Sequence, residues 1–124
     1  MTFAEHMKAK ARQLHKALVL PEGTEKRTVV AARRIVDEKL ASAVTLLGAE
    51  DAILACAKEA GVSLEGITLI DPALSSKRKA YAAEYHELRK HKGMTEAEAF
   101  EGMANQLRYG AMMVRLGDAD AMVA

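Results

Sequence analysis

The sequence predicts an α/β domain built on a mostly parallel sheet, and three observations carry that expectation. Ala17-Leu18-Val19-Leu20, Ala43-Val44-Thr45-Leu46-Leu47 and Ile67-Thr68-Leu69-Ile70 are short, nearly unbroken apolar runs, the pattern of strands buried on both faces. Between them lie longer stretches with apolar residues three and four apart, so strand and helix alternate along the chain. The length of 124 residues, 50% of them hydrophobic, suffices for one domain with its own core but not for two.

Taken in order, Phe3, Met7, Ala11 and Leu14 recur at steps of four, four and three, which predicts an amphipathic helix over residues 2–16 packed on the core. The first strand ends at Pro21-Glu22-Gly23-Thr24. Thr24 is placed to cap a helix over 25–39, lined on one side by Val29, Ala32, Val36 and Leu40. The second strand leaves through Gly48; Glu50 and Asp51 open the next helix with the charge its amino end favours, and Gly61 closes it. Cys56, beside Ile53 and Ala57 on that helix, reads as a small packed hydrophobe. The third strand stops at Asp71-Pro72, where the proline holds the preceding residue extended. A helix over 77–92 carries Tyr81, Tyr85 and Leu88 as a packing stripe. A further helix from Glu96 to Gly117 turns Phe100, Met103 and Leu107 inward, with Met112 and Met113 as core fillers and Gly102 and Gly110 bending it or admitting a close neighbour. After Gly117-Asp118-Ala119-Asp120, a last apolar strand begins at Ala121 and stops without cap or return. The sequence therefore reads as cut within a domain.

Composition narrows the function. A net charge of +1, from 18 basic and 17 acidic residues, gives no general field for nucleic acid or an anionic membrane. Aromatic residues are 4% with no Trp, which leaves little for base stacking. A single cysteine makes no internal disulfide, and no Cys/His spacing resembles a metal site. No run approaches the roughly 18 apolar residues of a membrane helix, and no signal-like segment opens the chain. A reducing cytoplasm is the expected setting, and any anion site must be local.

Two places could provide one. Glu87-Leu88-Arg89-Lys90-His91-Lys92-Gly93-Met94-Thr95 crowds basic side chains into the end of one helix, stops it with Gly93 and starts another at Thr95. Cations there offset the helix dipole, Gly supplies the left-handed closing residue, and Thr95 with Glu98 forms a capping box. The same residues also suit a phosphate, with Arg89 presenting a planar fork of donors and Lys90 or Lys92 a point charge. The second place breaks a local rule. Lys26 and Arg27 lie in the first turn of a helix, where the dipole disfavours cations; they either point into water or, beside unpaired amides just after a strand, favour an anion.

Five segments, taken together and in order, resemble the amino-terminal part of the phosphate acetyl/butyryl transferase family. They are Leu20-Pro21-Glu22-Gly23-Thr24-Glu25-Lys26-Arg27-Thr28, Val44-Thr45-Leu46-Leu47-Gly48, Ile70-Asp71-Pro72, the basic junction from Glu87 to Thr95, and Met112-Met113 leading to Gly117-Asp118-Ala119-Asp120-Ala121-Met122-Val123-Ala124. The resemblance implies a three-layer α/β/α fold of the isocitrate-dehydrogenase-like kind, truncated within its first domain, and acyl transfer between acetyl phosphate and coenzyme A. It implies coenzyme A as substrate with no permanently bound cofactor, and two copies forming a homodimer around clefts between domains. Arg89 matches a family arginine implicated in binding coenzyme A, and Arg27 another arginine of the cleft. Lys90, His91 and Lys92 are left as supporting charge. The family's serine-rich segment and its catalytic serine, arginine and aspartate are expected beyond Ala124, so these residues alone are expected to be inactive. Ala121 departs from the pattern, standing where the family commonly has Gly.

Within the same class, the resemblance also admits a phosphate butyryltransferase or the homologous domain of a multidomain malic enzyme. A noncatalytic binding or oligomerisation module is the alternative of a different class.

Overall fold

In the computed structural model, which describes residues 2–124, the elements run α1 (Phe3–Leu14), β1 (Ala17–Leu20), α2 (Lys26–Asp37), β2 (Ala43–Leu47), α3 (Glu50–Ala60), β3 (Thr68–Ile70), α4 (Arg78–Arg89), α5 (Glu96–Gly102), α6 (Gln106–Arg115) and β4 (Ala121–Met122). A single 3-10 turn, Lys90–Lys92, extends α4. The strands form one sheet in the order β3-β2-β1-β4, every pair parallel.

Register explains why the strand sequences are apolar throughout. Leu18 and Leu20 pair with Val44 and Leu46, and Leu46 with Leu69, so these side chains share one face. There they meet Val29 and Ala32 of α2 and Ile53 and Ala57 of α3, with half-buried Cys56 packed against the cluster. The alternate residues Val19, Leu47, Ile70 and Met122 share the other face with Tyr81 and Ala82 of α4, Met103, and Tyr109, Met112 and Met113 of α6. Helices thus cover both faces in three layers, as the sequence predicts. Leu46 and Leu47 are completely buried, and each such side chain contributes roughly 1.5–3 kcal/mol by leaving water.

Four local expectations are corrected. Helix α1 does not bury its apolar stripe: Phe3 is 81% exposed, and Met7 and Leu14 are also largely exposed. It is held instead by polar contacts, Lys8 Nζ to Glu38 Oε1 at 2.7 Å and Arg12 Nε to the Glu38 carbonyl at 2.9 Å, which fix its rotation with the apolar stripe outward. Thr24 does not cap α2; Glu25 occupies that position, without a side-chain hydrogen bond. The single helix expected from 96 to 117 is two helices, because Asn105 takes extended geometry and its side chain accepts from Arg108 N, capping α6. The break leaves Met103 fully buried but turns Phe100 and Leu107 to the surface, where Phe100 lies beneath the Arg78 guanidinium.

The final strand is short but paired. Ala121 and Met122 lie opposite Leu18 and Val19, and Asp120 Oδ2 accepts from Ala17 N at 2.8 Å.

Candidate functional site

The basic junction is shaped by its own backbone. Gly93 takes φ 83 and donates to the Lys90 carbonyl, a left-handed conformation that side-chain-bearing residues adopt only with strain. Thr95 Oγ1 then accepts from Glu98 N and Glu98 Oε1 from Thr95 N, both at 3.1 Å, the predicted capping box. Its hydrogen bonds hold the Glu98 carboxyl below the usual carboxylate range. This reversal folds α5 back along α4, and the Met103–Asn105 break then directs α6 past the junction.

Tyr85 and Arg89 of α4, Lys92, Glu98 and Arg108 of α6 line a cavity of about 410 Å³. A second hollow of about 270 Å³ shares Tyr85, Arg89 and Arg108 and is walled by Leu88, Met103, Ala111 and Met112. The result is a groove with a cationic half and an apolar half. Its cations differ in their commitments. Arg115, at the far end, pairs with Glu84 at 3.3 Å, and Lys90 with Glu87 at 2.9 Å; the Lys90 ammonium holds the Glu87 carboxyl below its ordinary range. Among the described residues, Arg89, Lys92 and Arg108 make no ion pair. His91 lines neither hollow.

Arg27 lies elsewhere. Lys26 and Arg27 occupy the first turn of α2, with no acidic residue in that turn. The chain reaches it from β1 through Gly23, whose amide donates to the Leu47 carbonyl at 3.0 Å. A Cβ at Gly23 would stand 2.5 Å from that oxygen, so only glycine fits the close approach. Gln106 Nε2 ties the same place to α6, donating to the carbonyls of Pro21 and Leu47 at 2.6 and 2.7 Å. A hollow of about 210 Å³ between them is lined by Glu22, Thr24, Glu25, Asn105 and Gln106 but not by Arg27. This is the carboxyl end of β1, where connections leave to β2 on one side and β4 lies on the other, the position at which parallel α/β sheets commonly bind ligands. Arg27 and Arg89 therefore share none of these hollows. The first turn of α6 lies between their surroundings, Asn105 and Gln106 facing one hollow and Arg108 the other.

A wider cavity, about 770 Å³, opens beyond β3 and α3, lined in part by Glu50, Asp51, Asp71, Ser75, Lys77 and Tyr109. Three of its four charged side chains are acidic and Lys77 is the other, which disfavours a phosphate there relative to the groove around Arg89. Arg108 is the groove-lining cation that the sequence does not single out. Its signal was the broken rule that singled out Lys26 and Arg27, a cation in a helix's first turn, hidden because residues 96–117 read as one helix. Among the described residues, no cluster of three or more His, Cys, Asp or Glu side chains is placed to hold a metal ion, and no helix is long and apolar enough to cross a membrane.

A three-layer parallel α/β domain with a cationic groove at its helix junction is a class to which anion-binding enzymes conform. Comparison with known proteins resolves the class further. The family model described as phosphate acetyl/butaryl transferase matches residues 2–124, and the chain belongs to that family. It is similar to the phosphate acetyltransferase of Treponema pallidum, 46% identical over all of this chain and 37% of that protein, and to that of Acetivibrio thermocellus, 41% identical over all of this chain and 36% of that protein. Among solved structures, the EutD phosphotransacetylase from Staphylococcus aureus superposes with a TM-score of 0.85 at 30% identity, over 95% of this chain and 35% of that one. A phosphotransacetylase from Streptococcus pyogenes gives 0.87 at 26% identity, over 98% of this chain and 37% of that one. The chain spans little more than a third of the length of these relatives.

Proposed function

We propose that this chain is part of the first domain of a cytoplasmic acyltransferase that moves an acetyl group between acetyl phosphate and coenzyme A. The observation that carries the reading is the cationic groove around Arg89 in a chain matched from residue 2 to 124 by the phosphate acetyl/butaryl transferase family. Relatives named phosphate acetyltransferase support acetyl as the acyl group. In the reaction, the coenzyme A thiol is deprotonated and its thiolate attacks the acetyl carbonyl; the bond from that carbon to the phosphate oxygen breaks, and phosphate leaves. Such chemistry needs a base near the thiol and positive charge near the phosphate.

Arg89 holds a coenzyme A phosphate through its guanidinium fork, and Lys92 adds charge on the same wall. Lys90 contributes only at longer range, since its ammonium is paired with Glu87. Arg27 meets another part of the substrate from the carboxyl end of the sheet. The serine, arginine and aspartate that carry the chemistry belong to sequence beyond Ala124, together with a second domain that closes the cleft and supports a homodimer. The 124-residue chain accordingly binds coenzyme A without turning it over.

Isothermal titration of this chain with coenzyme A, compared with Arg89→Ala, tests the reading. Saturable binding that weakens about tenfold to a hundredfold in the variant, the loss of one hydrogen-bonded charge contact, is the expected result. Absence of binding by a chain whose circular dichroism shows it folded would overturn coenzyme A binding by the groove.

A further inference from the structure

Two surfaces at opposite ends of the sheet are left without partners, and they complement one another. The first is the outer stripe of α1. Phe3, Met7, Lys10 and Leu14 follow at steps of four, three and four, so they line one face of the helix, on the other side from the Lys8 and Arg12 contacts to Glu38. The three apolar side chains are largely exposed. Lys10 stands among them and makes no ion pair among the described residues. The second surface is the hollow of about 770 Å³ beyond β3 and α3, which Leu54 and Leu74 also line; both leucines are exposed. Its Lys77 is paired with Asp118, whereas Glu50, Asp51 and Asp71 make no ion pair among the described residues. The uncompensated charge of the hollow is therefore acidic. Glu50 and Asp51 suit the amino end of α3, and Asp71 Oδ1 accepts from Ala73 N at 3.0 Å; neither role accounts for the leucines exposed beside them.

We propose that α1 of one copy of this chain docks its outer stripe in the hollow of a second copy, with Phe3 and Met7 against Leu54 and Leu74 and Lys10 toward the carboxylates. The same chain cannot make this contact. Helix α1 leads into the amino end of β1, whereas the hollow opens at the carboxyl end of β3 beside the start of α3, and in a sheet whose strands are all parallel these are opposite ends. Helix α1 has 12 residues and is about 18 Å long, so the hollow receives one face of its side chains and not the whole helix. Charge selects this pairing over the symmetric ones. Two α1 stripes face to face bring lysine to lysine, and two hollows bring carboxylates together, while stripe on hollow joins opposite signs around an apolar centre. The contact is therefore head-to-tail, and it closes into a ring or continues as a filament. It is independent of the coenzyme A reading.

The test is sedimentation equilibrium of the 124-residue chain at concentrations from the order of 1 μM to the order of 1 mM, the span of weak association. Wild type should pass from monomer to dimers and longer chains, and added salt should weaken the association. Phe3 and Leu74 are 81% and 83% exposed, so Phe3→Glu and Leu74→Asp are expected to keep the wild-type urea midpoint. Each alone should need about tenfold more protein to associate, the loss of one central contact. Mixed one to one, they should form dimers that grow no further, because Phe3→Glu supplies an intact hollow and Leu74→Asp an intact helix. Lys10→Glu and Glu50→Lys repeat the experiment without touching an apolar residue; each should associate weakly alone, and their mixture should regain growth beyond the dimer, since the reversed helix and the reversed hollow again have opposite signs. A wild type that stays monomeric throughout overturns the proposal, as does association that Leu74→Asp leaves unchanged or a mixture no better than its separate variants. Monomeric wild type that sediments with phosphatidylserine vesicles, and loses this with Phe3→Glu, also overturns it by assigning the stripe to an anionic membrane.

Discussion

The two ends of α4 are both basic, yet they have opposite fates. At the amino end the first two cations are engaged, while the third, Lys79, makes no ion pair among the described residues. Lys77 Nζ pairs with Asp118 Oδ1 at 3.0 Å, and the Arg78 guanidinium donates to the carbonyls of Phe100 and Ala73 while stacking on the Phe100 ring. Below them the buried Tyr81 hydroxyl donates to Asp118 Oδ2, and the Tyr81 and Tyr109 rings meet at 4.8 Å. At the carboxyl end, Arg89 and Lys92 face Arg108 across a cavity with no ion pair between them and any carboxylate. Composition cannot separate these ends, since both read as Lys and Arg near a helix terminus. Partners do: the saturated end fastens α4 to α6 and the β4 approach, and the open end has donors left over. Substitutions at the first should cost stability and spare binding, and at the second the reverse.

Asp118→Ala should break the saturated end with the largest effect. It strands the Tyr81 hydroxyl in the core and frees Lys77, costing about 2 kcal/mol in urea unfolding, with coenzyme A affinity per folded molecule unchanged. The pH dependence has a defined sign. Hydrogen bonds from Tyr81 and then Lys77 hold the Asp118 carboxyl below its ordinary value of 3.8, so its contribution is complete above that pH and is lost as pH falls through the depressed folded value. Burial, with the Asp118 hydrogen bond, pushes Tyr81 above its ordinary 10.0, so its contribution is complete below pH 10.0 and fades in stronger base. Wild type should therefore show a steeper loss of stability below pH 3.8 than Asp118→Ala does. Parallel curves would mean that the pair is too well solvated to matter.

Thr95→Ala probes the hinge between the two behaviours. It removes the hydroxyl that accepts from Glu98 N and should cost about 1 kcal/mol, the usual value of a helix cap. The Glu98 carboxylate loses the geometry that keeps it on Thr95 N. Freed, it can turn to Arg89 or Arg108 on the shared wall, so coenzyme A binding should weaken severalfold although Thr95 is not among the cavity's lining residues. A stability loss with unchanged affinity would show that the cap does not keep the notch open.

The strands were legible because a parallel strand covered on both faces needs an unbroken apolar run, and Val44-Thr45-Leu46-Leu47 can do little else. The capping box and Gly93 were legible because their interactions lie within four residues. What the sequence concealed was tertiary. The rotation of α1 depends on Lys8 and Arg12 reaching Glu38 across the fold, whose carboxyl the Lys8 hydrogen bond lowers. The division of α5 from α6 depends on Asn105 acting as a cap inside a helical period that continues past it. Arg89 was visible as a candidate from its motif, while Arg108 became one only when that division aimed α6 at the end of α4. The candidate site was half legible for this reason: one of its arms is local sequence, and the other is brought by packing.

The smallest effect belongs to Lys90→Ala, and it tests whether the open end is a shaped notch or merely a positive field. Lys90 and Glu87 form an i,i+3 pair with side chains 56% and 62% exposed, so its removal should leave stability essentially unchanged. If the groove recognises its ligand through donors on its wall, coenzyme A affinity should shift less than twofold, because Lys90 lines neither hollow. A diffuse field would make Lys90 nearly equivalent to Lys92, since charges a few residues apart act alike at the Debye distance of about 8 Å in physiological salt. Equal losses from Lys90→Ala and Lys92→Ala, both vanishing at high salt, would reduce the open end to that field; a loss from Lys92→Ala alone would tie recognition to the wall that α4, its 3-10 turn and α6 build together.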